Sequence, residues 1–202
     1  MKYKCITGGP ISENCYLLID EKTNQAAVVD PGFLNDVLLN EIKKYTVQRI
    51  LLTHGHFDHI WEADRLHEML GVPVCAYETE AAFAADDKQN GSLLMMYKSI
   101  TCKVHEAFKD GETFRIGEVP VTVLHTPGHT AGGVSYITPD AVFTGDTLMG
   151  YSVGRCDLPT GNSAELRESL KKLVALPGNP DICGGHGPVT TLEDEKRRNP
   201  YL

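Results

Sequence analysis

The sequence has no apolar run approaching the roughly 20 residues that a helix needs to cross a bilayer. Its N-terminus lacks the apolar core and the cleavage site of a signal peptide. The six cysteines are scattered along the chain, and no two of them form a C-x-x-C pair. We therefore expect a cytoplasmic protein whose cysteines are free thiols rather than disulfides.

Positive charge is also scarce. The 202 residues include 19 Lys and Arg against 27 Asp and Glu, which gives a net charge of −8. Nucleic acids and anionic membranes are bound through basic surfaces, so neither is an expected partner. The oligomeric state cannot be read from these features. Leu, Ile, Val and Phe make up about a quarter of the chain, more than the roughly one fifth below which disorder is expected. The length predicts one globular domain over residues 1–202.

Short apolar runs alternate with segments of helical spacing, which favours an α/β fold. Helices are predicted over 35–45 and 59–70, and a third follows a capping box formed by Asn162 and Glu165. Residues 86–109 show no clear pattern. Strands are predicted at 15–19, 26–29, 50–52, 113–116, 119–124, 134–137, 141–144 and 181–183.

The strongest chemical signal is an H-x-H-x-D-H motif directly after the apolar run at 50–52. Its His54 and His56 lie two positions apart, so in an extended chain their side chains project to the same side. Asp58 and His59 fall where the chain turns into a helix and can point to a second position nearby. Imidazole and carboxylate ligands suit zinc, iron or manganese, whereas calcium and magnesium prefer oxygen ligands alone.

Three further candidates, His129, Asp146 and His186, each follow the end of a predicted strand. Open α/β sheets place their sites at the carboxyl ends of strands, so these side chains are expected to complete one metal centre. The interpretation is a dinuclear site in which one metal is held by His54, His56 and His129, the other by Asp58, His59 and His186, with Asp146 bridging the two.

At this point the chain resembles the metallo-β-lactamase superfamily, on its glyoxalase II-like branch. The residues that carry the resemblance occur in the family's order: Asp30-Pro31-Gly32, the motif at 54–59, His129, Asp146 and His186. The resemblance implies a four-layer αββα sandwich with the metals at one edge of the sheets, and it implies the same ligand assignment. The segment at 154–159 further resembles a short, single-domain subgroup of this branch.

The chain departs from glyoxalase II in two places. Only residues 187–202 follow His186, so the C-terminal helical domain that helps to hold glutathione is expected to be missing. A lysine and a tyrosine that contact glutathione correspond to Arg155 and Asp157. The tyrosine is lost, and Arg155 is predicted either to bind a carboxylate of the substrate or to pack under the site. β-Lactamases with a cysteine ligand carry it where this chain has Asp146, which argues against penicillin-type substrates.

The function predicted from these residues is metal-dependent hydrolysis of a small-molecule thioester or ester, such as S-lactoylglutathione. A hydroxide that bridges two divalent metal ions would attack the acyl carbon, and Asp58 would both ligate a metal and hold the proton of the attacking water. Zinc is favoured, with iron or manganese as alternatives. The rival interpretations are a persulfide dioxygenase with one iron, and a lactonase.

Several other residues are given structural roles. Asp30 is predicted to orient a ligand histidine rather than to bind metal. His67, His105 and His125 are interpreted as packed or hydrogen-bonded residues. The apolar cluster at 93–96 is more typical of a packed helix face than of a substrate lip, although it could cover the site entrance, and 193–198 is predicted to be a solvated helical tail.

Overall fold

The computed structural model describes all 202 residues, and most of the strands form two six-stranded sheets. The strands are β1 (Lys2–Gly8), β2 (Glu13–Asp20), β3 (Gln25–Val29), β4 (Thr46–Leu51), β5 (Val74–Tyr77), β6 (Glu106–Phe108), β7 (Thr113–Ile116), β8 (Val119–His125), β9 (Val134–Ile137), β10 (Ala141–Gly145), β11 (Leu148–Met149), β12 (Ser152–Val153), β13 (Asp181–Gly184) and β14 (Thr190–Thr191). The helices are α1 (Asp36–Ile42), α2 (Phe57–Ile60), α3 (Ala63–Leu70), α4 (Glu80–Ala84), α5 (Ser92–Met96), α6 (Ser163–Val174) and α7 (Leu192–Arg198).

The strand order places several strand ends at the same edge of each sheet. The first sheet has the order β1-β2-β3-β4-β5-β6, and β3, β4, β5 and β6 run parallel to one another. The second sheet has the order β14-β13-β10-β9-β8-β7, in which β10 and β13 are the parallel pair. Parallel strands end at the same side, so the segments that follow β4, β10 and β13 can meet there.

Three buried apolar clusters divide the molecule into four layers. Along β2, the side chains of Tyr16 and Leu18 belong to the core between the two sheets, whereas Leu17 and Ile19 pack on the opposite face with α1 and α3. This alternation is expected because successive side chains of a strand point to opposite faces. The third cluster joins the outer face of the second sheet to α6 and α7. The αββα sandwich implied by the family resemblance is therefore confirmed.

The predicted helix caps occur in the structure. The Asn35 side chain accepts a hydrogen bond from the Leu38 amide at the start of α1, and Asn162 accepts from the amides of Ala164 and Glu165 at the start of α6. These bonds satisfy amides that have no partner within the helix. α1 is shorter than the predicted 35–45, because apolar spacing locates a helix better than it locates its ends.

The predicted helix over 59–70 is in fact two helices, α2 and α3. The Glu62 amide donates to the carbonyl of Pro31 (3.0 Å) instead of to a carbonyl within the helix. The apolar spacing continues through the break, which is why periodicity alone did not reveal it. No helix is long and apolar enough to cross a membrane.

The C-terminal segment is more buried than predicted. Residues 193–198 do form part of a helix, α7, but the solvated tail expected there is wrong at Glu195, which is fully buried. Its carboxylate accepts hydrogen bonds from Thr190 Oγ1 (2.5 Å), the Tyr151 amide (3.0 Å) and Asn199 Nδ2 (2.7 Å). Buried carboxylates persist where they are hydrogen-bonded in this way.

Candidate metal centre

The seven predicted ligand side chains lie together at one edge of the two sheets. His54 and His56 lie in the loop after β4, and Asp58 and His59 are on α2. The other three follow strands of the second sheet, and they are His129 after β8, Asp146 after β10 and His186 after β13. The site is thus formed from both sheets, and it depends on the way they pack.

The first group of ligand atoms comes from His54, His56 and His129, whose ring nitrogens all lie within 4.8 Å of one another. His56 Nδ1 lies 2.8 Å from His129 Nε2. His129 Nδ1 lies 2.7 Å from the carbonyl oxygen of Arg155, which can only accept a hydrogen bond. Nδ1 of His129 therefore carries the proton, and its Nε2 presents a lone pair to the other two rings.

The second group comes from Asp58, His59 and His186, again within 4.8 Å of one another. Asp58 Oδ2 lies 3.3 Å from His59 Nε2 and 3.2 Å from His186 Nε2. His59 Nδ1 lies 3.0 Å from Asp30 Oδ2. Burial would lower the pKa of His59, but the carboxylates of Asp58, Asp30 and Asp146 raise it well above the ordinary histidine value. A metal ion would displace the proton from Nε2, while Nδ1 keeps its proton and donates it to Asp30.

Asp146 lies between the two groups, as a bridging ligand would. Its Oδ1 is 3.5 Å from His59 Nε2, and its Oδ2 is 3.5 Å from His129 Nε2 and 3.8 Å from His186 Nε2. One carboxylate therefore faces ligands of both groups.

The donor set fits two divalent cations. His54 Nε2, His59 Nε2 and Asp146 Oδ1 are buried and have no hydrogen-bond partner. Buried polar atoms without a hydrogen-bond partner destabilise a folded protein. Here these atoms are ring nitrogens and a carboxylate oxygen that point toward one another. Cations bound between them would satisfy these atoms, and the mixture of imidazole and carboxylate suits zinc, iron or manganese.

The environment also keeps the rings of His54 and His56 neutral. Burial holds the pKa of His54 and His56 well below the ordinary histidine value, and the neighbouring rings add to this effect. Burial would raise the pKa of Asp58, but His59 and His186 hold it well below its usual range. Neutral imidazoles and an ionised carboxylate are the protonation states that bind metal.

Asp30 orients the site as the sequence predicted. Its Oδ1 accepts from the Thr53 amide (2.7 Å) and its Oδ2 from Thr53 Oγ1 (2.6 Å), in addition to its contact with His59. Thr53 Oγ1 in turn lies 3.1 Å from His54 Nδ1. One buried carboxylate thereby supports a histidine from each ligand group.

Two buried residues that support the site were missed by the sequence analysis. Glu80, at the start of α4, accepts from the amides of Gly55 (3.1 Å) and Gly132 (3.0 Å) and from Thr130 Oγ1, so it joins the two loops that carry the first group. Asn14 on β2 donates to the carbonyls of Gly184 and Gly187 on either side of His186. No local pattern marks either residue, because their partners are distant in the sequence.

A cleft of about 180 Å³ opens over the metal centre. Arg155, the predicted substrate contact, lines it, but its guanidinium is paired in a bidentate manner with Asp157 (2.6 and 2.7 Å). The cleft is lined by Ile11, His56, Phe57, Asp58, Met95, His129, Asp146, Arg155, Leu158 and His186.

The remaining histidines lie outside the ligand set. The His125 ring stacks on Tyr77 with centroids 4.2 Å apart, and its Nε2 lies 2.9 Å from the Ala131 carbonyl oxygen. His67 and His105 stack on each other with centroids 3.9 Å apart. The cluster at 93–96 divides: Met96 packs against the core, while Met95 lines the cleft.

Comparison with known proteins gives a consistent picture. The family model for the metallo-beta-lactamase superfamily matches residues 8–186. A probable metallo-hydrolase of Bacillus subtilis, YqgX, is 37% identical over 208 residues, which cover 100% of this chain and 98% of that protein. The hydroxyacylglutathione hydrolase GloC of Haemophilus influenzae is 31% identical over 209 residues, with coverage of 100% and 98%.

Solved structures resemble this fold over its whole length. The crystal structure of the BLEG-1 B3 metallo-beta-lactamase superposes with a TM-score of 0.93 at 34% identity, covering 100% of this chain and 99% of the other. The structure of TTHA1623 in a di-iron-bound form gives a TM-score of 0.87 at 33% identity, with coverage of 98% and 100%.

Proposed function

This chain belongs to the metallo-beta-lactamase superfamily, and from that premise we propose that it hydrolyses thioesters with two divalent metal ions, preferentially zinc. The observation that carries the proposal is the convergence of two three-residue ligand groups on a single carboxylate, Asp146. The comparisons support a metallo-hydrolase in general, and the thioester substrate is the step that we add.

Each group of ligands has a distinct task in this proposal. His54, His56 and His129 would hold one metal, Asp58, His59 and His186 the other, and Asp146 would contact both. Metal ions bound in this way polarise a carbonyl group and lower the pKa of a coordinated water. Asp58 is ionised and lines the cleft, so it can accept a hydrogen bond from the attacking water and orient it toward the acyl carbon.

The groups that line the cleft favour a thioester over an amide. No lysine, tyrosine or cysteine lines it, and its one arginine is paired with Asp157. No free general acid is therefore available to protonate a departing amine. A thiolate has a pKa near 8.5 and leaves without such help. The similarity to a protein named hydroxyacylglutathione hydrolase supports the same choice.

The test is thiol release from S-lactoylglutathione by metal-loaded protein, compared with a His129→Ala variant and a matched His125→Ala control. His129 belongs to the first ligand group, whereas His125 stacks on Tyr77 outside it. We expect release by the wild type and by the control, and none above background by His129→Ala. Equal rates for all three proteins would contradict the proposal.

A second candidate is hydrolysis of a β-lactam, favoured by the similarity to a structure named a B3 metallo-beta-lactamase. Both reactions would use the same metal ligands, so the two functions are distinguished by comparing the turnover of their substrates. Nitrocefin turnover that exceeds thioester turnover in the same metal-loaded sample would favour the lactamase. Opening of a simple lactone, or oxygen consumption with a persulfide by protein loaded with one iron, would instead favour the two rival functions predicted from the sequence.

A further inference from the structure

Apolar side chains from three separate loops form the walls of the cleft over the metal centre. Ile11 comes from the turn between β1 and β2, Met95 from α5, and Leu158 from the turn before α6. Ile11 and Met95 are each 43% exposed. Single exposed apolar residues are common on protein surfaces, but their convergence on one cleft marks a binding surface.

The loop that carries Met95 is anchored close to the predicted metal ligands. The buried side chain of Asn90 donates to the carbonyls of Ala84 (3.3 Å) and Ile100 (2.7 Å), which closes the base of the loop that contains α5. The Phe57 amide, next to Asp58, donates to the carbonyl of Asn90 (3.1 Å). The loop is thus tied directly to the helix that carries ligands of the second group.

No unpaired lysine or arginine side chain lines the same cleft. Arg155 is the one lysine or arginine that lines it, and both oxygens of Asp157 accept hydrogen bonds from its guanidinium. The protein as a whole carries a net charge of −8. Arg155 is therefore not free to pair with a carboxylate of the substrate, and the negative net charge opposes the approach of an anionic substrate.

We propose that the substrate carries an uncharged, apolar group beside the scissile carbonyl, and that Ile11, Met95 and Leu158 bind this group. The inference rests on the proposed thioester hydrolysis and names its substrate class. The apolar group can belong to the acyl chain or to the leaving thiol, and the two are separated by experiment.

The first experiment measures kcat/KM for neutral thioesters on metal-loaded protein. One series varies the acyl chain of N-acetylcysteamine thioesters from acetyl to octanoyl, and the other varies the alkyl chain of S-acetyl alkanethiols. Burial of a methylene is worth about 0.8 kcal/mol, or about fourfold in binding. We expect one of the series to rise by roughly two- to fourfold per methylene until the cleft is filled, and to exceed S-lactoylglutathione.

The second experiment repeats the series with Met95→Gln and with the matched control Leu94→Gln. Both positions are exposed on α5, but Met95 lines the cleft and Leu94 does not. Met95→Gln should flatten the dependence on chain length through a higher KM, with an unchanged thermal midpoint and metal content. Leu94→Gln should behave as the wild type does.

Rates that are independent of chain length in both series, or equal effects of the two variants, overturn this inference while leaving thioester hydrolysis intact. Metal-loaded protein that is inert toward every thioester, including S-lactoylglutathione, overturns the proposed function and the inference together.

Discussion

Asp30 shows how much of this site depends on a residue that need not touch metal. Its carboxylate accepts from the amide and the hydroxyl of Thr53 and from His59 Nδ1. Donation of the Nδ1 proton to Asp30 would hold a metal-bound His59 in the tautomer whose Nε2 faces Asp58 and Asp146.

Replacing Asp30 with Asn removes this acceptor while nearly preserving shape. A carboxylate that accepts a hydrogen bond from a metal-binding histidine contributes about 10- to 100-fold to metal affinity. We expect metal binding to the Asp58, His59 and His186 group to weaken by that factor, measured by competition with a chromophoric chelator. Asp36→Asn, at an exposed position in α1, is the control, and equal affinities for the two variants would refute the role of Asp30.

Glu80 gives a prediction about pH. Burial raises its pKa from 4.5 to about 7, although three hydrogen bonds oppose the shift. Between these pH values the folded protein retains a proton that the unfolded chain releases, so the free energy of unfolding falls as the pH rises. The raised pKa of Glu80 corresponds to a change of about 3 kcal/mol in the free energy of unfolding.

Urea unfolding of metal-free wild type and Glu80→Gln isolates this contribution, because the amide does not titrate. The stability of the wild type relative to the variant should decline by about 3 kcal/mol between pH 4.5 and pH 7 and remain constant above pH 7. A difference that does not vary with pH would show that Glu80 is ionised throughout this range in the folded protein.

At the scale of elements, the close approach of α6 to the 127–130 loop positions His129. Gly128 has a φ of +133°, and a Cβ atom there would lie 2.3 Å from the Leu166 amide nitrogen. Its carbonyl also accepts from the Asn162 amide (2.7 Å). Only glycine allows this contact between the loop and the first turn of the helix.

Gly128→Ala should therefore destabilise the protein by about 3 kcal/mol or more, because backbone strain and a steric clash combine. Metal binding to the first ligand group should weaken as well. Gly178→Ala is the control for backbone strain alone, because φ is +74° there but nothing lies within 4 Å of the new Cβ. We expect it to lower the free energy of unfolding by about 1 kcal/mol. Similar losses in urea unfolding for both variants would show that the contact with α6 is unimportant.

Elements marked by strong local signals were predictable from the sequence. The strand at 113–116 occurs with the predicted bounds, and the Asn162 side chain caps α6 as predicted. The other half of the capping box does not form, because the Asn162 amide donates to the Gly128 carbonyl. The edge strand β1 was missed because Lys2 and Lys4 interrupt its apolar pattern. In 86–109 the loop around α5 is held by buried hydrogen bonds from Asn90, a tertiary feature that leaves no periodic signal.

At the scale of the whole molecule, the site was predictable where residues of distinctive chemistry follow strand ends. The seven ligand positions come together as the motif and the strand ends indicated. The supporting residues could not be found in this way. Glu80 lies 50 residues from Thr130, and Asn14 lies 170 residues from Gly184. Only the packing of the two sheets brings such pairs into contact.

The proposed hydrolysis requires two metal ions at this edge of the sheets. The most direct test adds zinc stepwise to chelator-treated protein and follows the initial rate of thioester hydrolysis against metal bound per chain. We expect a rate that rises until two equivalents are bound and then reaches a plateau. A maximal rate at one equivalent, with no further change at the second, would contradict it.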